Sequence, residues 1–139
     1  MKYSISDTIN RTRQDVIDAL LNIEQLKKWQ PTLVRVESTT GKLFNQGSSG
    51  YQIYDGAGFK SKLKVSVPSS NLPETITLVY EIPDVINTCV YRFQEINGAT
   101  HYDMEVTFEF ADGIERDEAV FKAGTIAMME PLKRYLEQK

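Results

Sequence analysis

The sequence contains few of the side chains on which metal and nucleophilic chemistry depend. Its 139 residues include one cysteine and one histidine, which are Cys89 and His101. A single cysteine excludes an intrachain disulfide, and this fits a reducing compartment. Because one histidine and one cysteine do not make a spaced ligand cluster, we expect no metal ion. Any Ser-His-Asp or Cys-His mechanism would have to use His101.

An excess of positive charge and a long apolar run are also missing. Lysine and arginine number 16 against 19 aspartate and glutamate, for a formal net charge of −3. This balance predicts neither a nucleic-acid partner nor binding to an anionic membrane surface. No segment approaches the roughly 18 apolar residues of a membrane span, and residues 1–12 lack the apolar core of a signal peptide. We therefore expect a cytoplasmic protein with no membrane partner.

Nucleotide-binding patterns do not occur either. Neither G-x-x-x-x-G-K-[ST] nor G-x-G-x-x-G is present. The segment GSSG at 47–50 precedes a predicted strand, so it lacks the helix N-terminus that would hold a phosphate. The sequence predicts no cofactor.

What is present is typical of a globular protein, with 41% hydrophobic and 25% charged residues. The length predicts one domain, residues 1–139, with enough chain to bury a core. Alternation over 2–10 predicts a strand. Thr12 is the predicted N-cap of a helix, with Asp15 in the capping-box position. A second short helix is predicted over 24–29 and ends before Pro31.

The chain from 32 to 110 has strand patterns separated by turn residues. Six strands are predicted, at 32–39, 49–54, 59–67, 74–82, 88–96 and 100–110. A long helix follows at about 116–137, with one face formed by Phe121, Thr125, Met128, Leu132 and Tyr135 or Leu136. The predicted fold class is therefore α+β, with an antiparallel sheet packed on one face against the long helix.

The last hairpin separates apolar from charged residues cleanly. A two-residue turn at Asn97-Gly98 pairs Phe93 with Tyr102 and Tyr91 with Met104 on the inner face. On the outer face it places Arg92, Gln94, His101, Asp103, Glu105 and Glu109. We interpret His101 and these carboxylates as solvated surface residues.

The hairpin around YDGAGFK (54–60) allows two arrangements. Lys60, Lys62 and Lys64 are expected outside, with Phe59, Leu63 and Val65 inside. A regular turn then puts Tyr54 inside and Tyr51 and Ile53 outside. A bulge at Gly56 or Gly58 reverses this. We favour the bulge, because it buries more apolar surface.

Three features together resemble the START/Bet v 1-like (SRPBCC) superfamily, with its bacterial polyketide cyclase/dehydrase-like branch. They are ISDTINRTRQDVIDALLNIEQLKKWQPTLVRVESTTG at 5–41, NQGSSGYQIYD at 45–55, and the long helix after the last strand. The resemblance implies a helix-grip fold, in which a curved seven-stranded antiparallel sheet wraps the C-terminal helix around a cavity. Members bind lipids, sterols, polyketides or plant hormones, and some are cyclases. They share no universal catalytic set, so no catalytic residue is assigned. The chain is short for a lipid-transfer member, which favours a smaller apolar molecule.

Inward aromatic residues supply the candidate site. Buried tyrosine hydroxyls need partners, and apolar walls with a few polar groups are typical of small-molecule pockets. The predicted ligand-binding residues are Tyr80, Tyr91, Phe93, Tyr102, Met104, Phe108, Thr125, Met128 and Leu132. We expect Cys89, also on the inner face, to be a buried and inert thiol.

The sequence thus predicts a protein that binds a small hydrophobic ligand between sheet and helix. The alternative is a cyclase/dehydratase-type enzyme that folds a polyketide-like carbonyl substrate in the same cavity, with a tyrosine as general acid. A protein-interaction module is a weaker third possibility. The charged outer face predicts a monomer or a modest homodimer.

The segment GTIAMMEPLK (124–133) suits a pocket wall better than a close-packed helix. Met128 and Met129 adapt to irregular spaces. Gly124 would allow the sheet or a ligand to approach the helix backbone closely. Pro131 predicts a kink near Ala127.

Overall fold

The elements follow the predicted order. The computed structural model describes residues 1–56 and 58–138. The elements are β1 (Lys2–Ile9), α1 (Arg13–Leu21), α2 (Ile23–Trp29), β2 (Leu33–Thr40), β3 (Ser49–Gly56), β4 (Phe59–Asn71), β5 (Thr75–Ile82), β6 (Val85–Ile96), β7 (Ala99–Phe110) and α3 (Glu118–Glu137). This confirms the α+β class, with two short helices after the first strand and one long C-terminal helix.

All seven strands form one curved antiparallel sheet in the order β1-β7-β6-β5-β4-β3-β2. The first strand lies beside the last, and α1 and α2 connect the two outermost strands of the sheet. The inner face carries the core, into which α3 buries Thr125, Met129, Leu132 and Leu136. The backbone of α3 approaches β1, α1 and α2 most closely. The long helix is therefore held at one side of the sheet rather than along its middle strands.

Side-chain caps fix the two short helices. Thr12 accepts a hydrogen bond from the backbone N–H of Asp15 and begins α1, as predicted. Asn22 ends α1 and begins α2, where its side chain accepts from the N–H groups of two residues of the next turn. The indole of Trp29 donates to the carbonyl oxygen of Ala19 at 2.8 Å. These bonds hold α2 against α1 and direct Trp29 inward.

The β6–β7 hairpin has the predicted register. Ile96 pairs with Ala99, so Phe93 faces Tyr102 and Tyr91 faces Met104. The other face is polar, and there the His101 imidazole lies 3.4 Å from the carboxylate of Asp103. The assignment of His101 to the outer face is confirmed.

The β3–β4 hairpin contradicts the predicted bulge. Its register is continuous from Ser49 opposite Ser66 to Gly56 opposite Phe59. Tyr54 therefore lies inside and Tyr51 outside, where the ammonium of Lys62 sits 4.2 Å above the Tyr51 ring. The cation–π contact with Lys62 stabilises Tyr51 on the surface. The predicted bulge was wrong because it was chosen only for the apolar surface that it would bury.

Phe59 is a second correction in this hairpin. Its side chain was expected in the interior, yet it is 78% exposed. It has the inward parity of Leu63 and Val65, but it lies at the hairpin tip.

The face of α3 is rotated slightly from the prediction. Met129 is buried, whereas Met128 is 63% exposed. The helix continues through Pro131 without a break, and the kink near Ala127 stays a prediction. Gly124 does not allow a close approach, because a Cβ built on it would have no neighbour within 4 Å among the described residues. The expected close approach of the sheet was wrong, and the approach of a ligand to Gly124 stays a prediction.

Close approach occurs instead at Gly50 in β3. A Cβ built there would overlap the backbone oxygen of Glu37 in β2. A side chain at this position would push the two strands apart. Gly50 thus permits the close pairing of β3 with β2.

The two glycines make a matched pair for a stability test. Gly50→Ala should lower the free energy of unfolding by about 1–3 kcal/mol, since overpacking forces the strands apart. Gly124→Ala should raise it by up to about 1 kcal/mol, because alanine is the better helix former and meets open space. Urea denaturation measures both values. Equal stability of the two variants would contradict the packing described here.

Candidate functional site

A cavity of about 220 Å³ lies between the inner face of the sheet and the middle of α3, where Thr125, Met128 and Met129 line it. Six of the predicted residues line it: Tyr80, Tyr91, Met104, Phe108, Thr125 and Met128. The second half of α3 closes the core without a gap, as Leu132 and Leu136 are fully buried. The cavity therefore ends before the last two turns of α3.

Three predicted residues do not line the cavity. Phe93 is buried beside Tyr91, with ring centroids 6.1 Å apart. Leu132 is packed in the solid part of the core, and Tyr102 borders a separate surface groove with Met129. These side chains point inward as predicted, but they support the wall rather than form it.

The list of predicted ligand-binding residues omits two thirds of the lining. The short helices contribute Leu20, Leu26 and Trp29, Gln30 follows as the C-cap of α2, and α3 adds Met129. The sheet adds Gln52, Tyr54, Leu63, Ile82, Val85, Asn87 and Cys89. The regular β3–β4 hairpin, which the sequence allowed, would have identified Gln52 and Tyr54.

The opening of the cavity is marked by two lining residues that reach solvent. Ile82 at the end of β5 is 51% exposed, and Met128 on α3 is 63% exposed. Both of these exposed residues are apolar, and the methionine side chain is flexible. A molecule entering here would meet apolar surface first.

A tyrosine pair with a buried thiol forms the middle of the cavity wall. Burial raises the pKa of Tyr80 and of Tyr91, and the interaction between the two hydroxyls raises the pKa of Tyr91 further. Burial also raises the pKa of the Cys89 thiol to about 12, although the Asn87 side chain, which accepts its hydrogen bond at 3.5 Å, acts in the opposite direction. These groups stay protonated and neutral at physiological pH, and the predicted inert thiol fits this arrangement.

A polar corner, consisting of Gln30, Gln52 and Tyr54, lies at the α2 and β3 side of the cavity. The Tyr54 hydroxyl donates to Gln30 Oε1 at 2.8 Å, with Gln52 Oε1 at 3.4 Å. Burial raises the pKa of Tyr54 to about 12. The corner therefore offers neutral hydrogen-bonding groups in an otherwise apolar wall.

Thr125 is the third polar position, and its hydroxyl is already engaged. It bonds to the Tyr3 hydroxyl of β1 and donates to the carbonyl oxygen of Phe121 at 3.1 Å. Tyr3 also reaches the Phe121 carbonyl oxygen, at 3.1 Å. Thr125 thus joins α3 to β1. The ligand-orienting role predicted for its hydroxyl stays a prediction.

No charged side chain lines the cavity among the described residues. Within the same part of the chain, no cluster of three or more His, Cys, Asp or Glu side chains is placed to hold a metal ion. The lining can exclude water, pack against an apolar molecule and offer neutral hydrogen bonds.

Comparison with solved structures identifies the architecture. The crystal structure of Ara h 8.0201, a Bet v 1 homologue, has a TM-score of 0.82 over 100% of this chain and 99% of its own, at 12% identity. The chain has the Bet v 1-like helix-grip fold. A putative uncharacterized protein from Rhizobium leguminosarum shares this fold with a TM-score of 0.80, 16% identity and coverage of 100% and 95%.

A third helix-grip structure, a protein from Nitrosomonas europaea, gives a TM-score of 0.75 at 14% identity, with coverage of 99% and 95%. No protein-family model matches the sequence, and no curated protein does. At these identities the likeness establishes the helix-grip fold and leaves the ligand to be argued from the cavity. The structural resemblance expected from the sequence is confirmed at the level of fold. No helix in the described residues is both long and apolar enough to pass through a bilayer.

The raised pKa values predict that alkaline pH destabilises the fold. Burial lifts Tyr54, Tyr102 and Cys89 to pKa values of about 12, whereas the unfolded groups titrate near 10 or 9. Between pH 9 and 12 the unfolded chain therefore binds fewer protons, and stability is lost as pH rises. Each group contributes up to about 1.4 kcal/mol per pH unit. Urea denaturation from pH 8 to 11 should show this decline, with a shallower slope in Tyr54→Phe. A constant free energy of unfolding across that range would contradict the burial of these hydroxyls.

Proposed function

We propose that the protein binds a small neutral hydrophobic molecule in the cavity between the sheet and α3. The observation that carries this is a partly enclosed apolar cavity with no charged side chain in its described lining. An ionised ligand would lose its hydration there without gaining an opposite charge, which is costly. A neutral apolar ligand pays no such cost and gains burial of its surface.

The cavity volume limits the size of the ligand. An engineered cavity of roughly 150 Å³ is known to bind benzene, whereas pockets for drug-sized ligands measure about 300–1,000 Å³. At about 220 Å³, this cavity fits a molecule with one ring or an equivalent short chain. A longer molecule would have to extend out of the cavity, whose lining reaches solvent at Ile82 and Met128.

The alternative is a cyclase/dehydratase-type enzyme acting on a polyketide-like carbonyl substrate. The facing hydroxyls of Tyr80 and Tyr91 favour it, since a tyrosine can donate a proton or a hydrogen bond to a carbonyl oxygen. Their raised pKa values weaken both as proton donors at neutral pH. No carboxylate or imidazole of the described residues lines the cavity to act as base. Binding without turnover is therefore the better-supported function.

We also propose a location and an oligomeric state for the protein. The single cysteine supports a cytoplasmic location. The charged outer face, with Lys60, Lys62 and Asp103 exposed, supports a monomer or a modest homodimer. Residues 1–139 as one domain, and the absence of nucleic-acid, membrane and cofactor partners, stay predictions from composition and sequence pattern.

A plug in the cavity tests the proposal. Leu63→Trp places an indole on the inner face of β4, where it should fill much of the space and abolish binding of ethylbenzene. Ile53→Trp is the matched control, because Ile53 lies on the outer face of the neighbouring strand, opposite Lys62. Isothermal titration calorimetry should show binding by wild type and Ile53→Trp, with the negative heat-capacity change of apolar burial. Unchanged affinity in a folded Leu63→Trp variant would refute a ligand site in this cavity.

A turnover assay separates the two functions, because Tyr80→Phe should keep its ligand affinity in either case. If the protein is a binder, Tyr80→Phe should retain ligand affinity and no carbonyl substrate should turn over. An enzyme would instead keep affinity in Tyr80→Phe and lose measurable turnover.

A further inference from the structure

Gln52 differs from the other buried polar side chains. Four polar residues of the described chain are buried: Ser48, Gln52, Thr100 and Thr125. The three hydroxyl residues each donate to a backbone carbonyl oxygen. Gln52 is 4% exposed, and its one hydrogen-bond contact among the described residues is with the Tyr54 hydroxyl.

That contact leaves most of the amide of Gln52 without a partner. The Tyr54 hydroxyl has one proton, and Gln30 takes it at 2.8 Å, so the 3.4 Å contact with Gln52 is a weak, shared one. No described residue accepts a hydrogen bond from the amide nitrogen of Gln52. Turning the amide over exchanges the two ends but still leaves one end free.

The free end faces the cavity. Every fully enclosed side-chain nitrogen or oxygen of the described residues has a hydrogen-bond partner. The unpartnered amide nitrogen must therefore keep some accessible surface. Since Gln52 is almost entirely buried and lines the cavity, that surface opens into the cavity.

A glutamine is also an unexpected choice for this place. Gln52 lies between Gly50 and Tyr54 on the inner face of β3 and opposite Leu63 of β4. An apolar residue here would pack against the same neighbours without an unmet hydrogen bond. A polar group retained in an apolar cavity is the usual means by which a pocket fixes the orientation of a ligand.

We propose that Gln52 determines ligand specificity by donating a hydrogen bond from its amide to an oxygen atom of the bound molecule. This rests on the proposed function and names its ligand class: a neutral, ring-sized compound with a carbonyl or hydroxyl oxygen at one end. The oxygen lies in the polar corner, and the apolar ring lies against Tyr91, Met104 and Met129. A carboxylate is a poor ligand, because no lysine, arginine or histidine of the described residues lines the cavity.

Three probes of nearly equal size test this class. Acetophenone carries a neutral carbonyl, ethylbenzene lacks it, and benzoate carries a charge. Calorimetry on the wild-type protein should show acetophenone binding about tenfold more tightly than ethylbenzene, the effect of one good hydrogen bond in a buried site. Benzoate should bind more weakly than acetophenone.

Variants then assign the effect to Gln52. Gln52→Leu should lose about tenfold in affinity for acetophenone and keep or gain affinity for ethylbenzene. Gln52→Met keeps the length of the side chain and should behave alike, which guards against a folding defect in one variant. Gln94→Leu is the control, because Gln94 is exposed on the outer face of β6 and should change neither affinity.

The contrary outcomes are distinct. If the wild type binds acetophenone and ethylbenzene equally and the Gln52 variants change neither, Gln52 holds only a trapped water. The inference is then overturned, while the proposed function stands. If none of the probes binds to the folded wild-type protein, both are overturned.

Discussion

The hydrogen bond between Tyr3 on β1 and Thr125 on α3 fixes how the long helix lies on the sheet. Thr125 lies on the buried face of α3, and Tyr3 lies on β1, a strand at the edge of the sheet. The bond therefore holds the first half of α3 toward β1. Farther along α3, Lys133 makes a second contact with β1, where its ammonium lies 3.2 Å from the carboxylate of Asp7. With the helix held along one side, the central strands face a gap that side chains do not fill.

The polarity of that gap depends on which side chains are left to line it. Leu132 and Leu136 fill the core along the last turns of α3, and Trp29 on α2 contributes to the cavity wall. The tyrosine, glutamine and cysteine groups that remain are neutral, so the cavity has polarity without charge. Such a space discriminates ligands by shape and by the placement of one or two hydrogen bonds. It is poorly suited to acid–base chemistry, which needs a group that titrates near the working pH.

The sequence predicted correctly those features that depend on local interactions, such as turns and helix caps. The Asn97-Gly98 turn fixed the β6–β7 register, because a two-residue turn leaves one pairing that puts every aromatic on one face. The Thr12 cap located α1 for a similar reason. The β3–β4 hairpin failed because two registers were locally acceptable. The choice depended on two tertiary contacts. Lys62 of β4 lies over the Tyr51 ring, and Gln30, the C-cap of α2, accepts a hydrogen bond from the Tyr54 hydroxyl.

The site was predicted in outline and missed in detail for a related reason. Helical periodicity allowed either Met128 or Met129 on the buried face, and only the position of α3 on the sheet makes Met129 the buried one. Gln52 was hidden by the incorrect bulge. Trp29 and Leu26 line the cavity through the packing of α2, a long-range feature for which the sequence carries no local signal.

The most direct test of the cavity is a crystal structure determined under xenon pressure, since xenon enters apolar cavities. The structure described here predicts an anomalous xenon peak in the space bounded by Tyr91, Met104 and Met129, with α3 unmoved. The absence of a peak, with those side chains in mutual contact and the helix packed solidly against the sheet, would contradict the central claim.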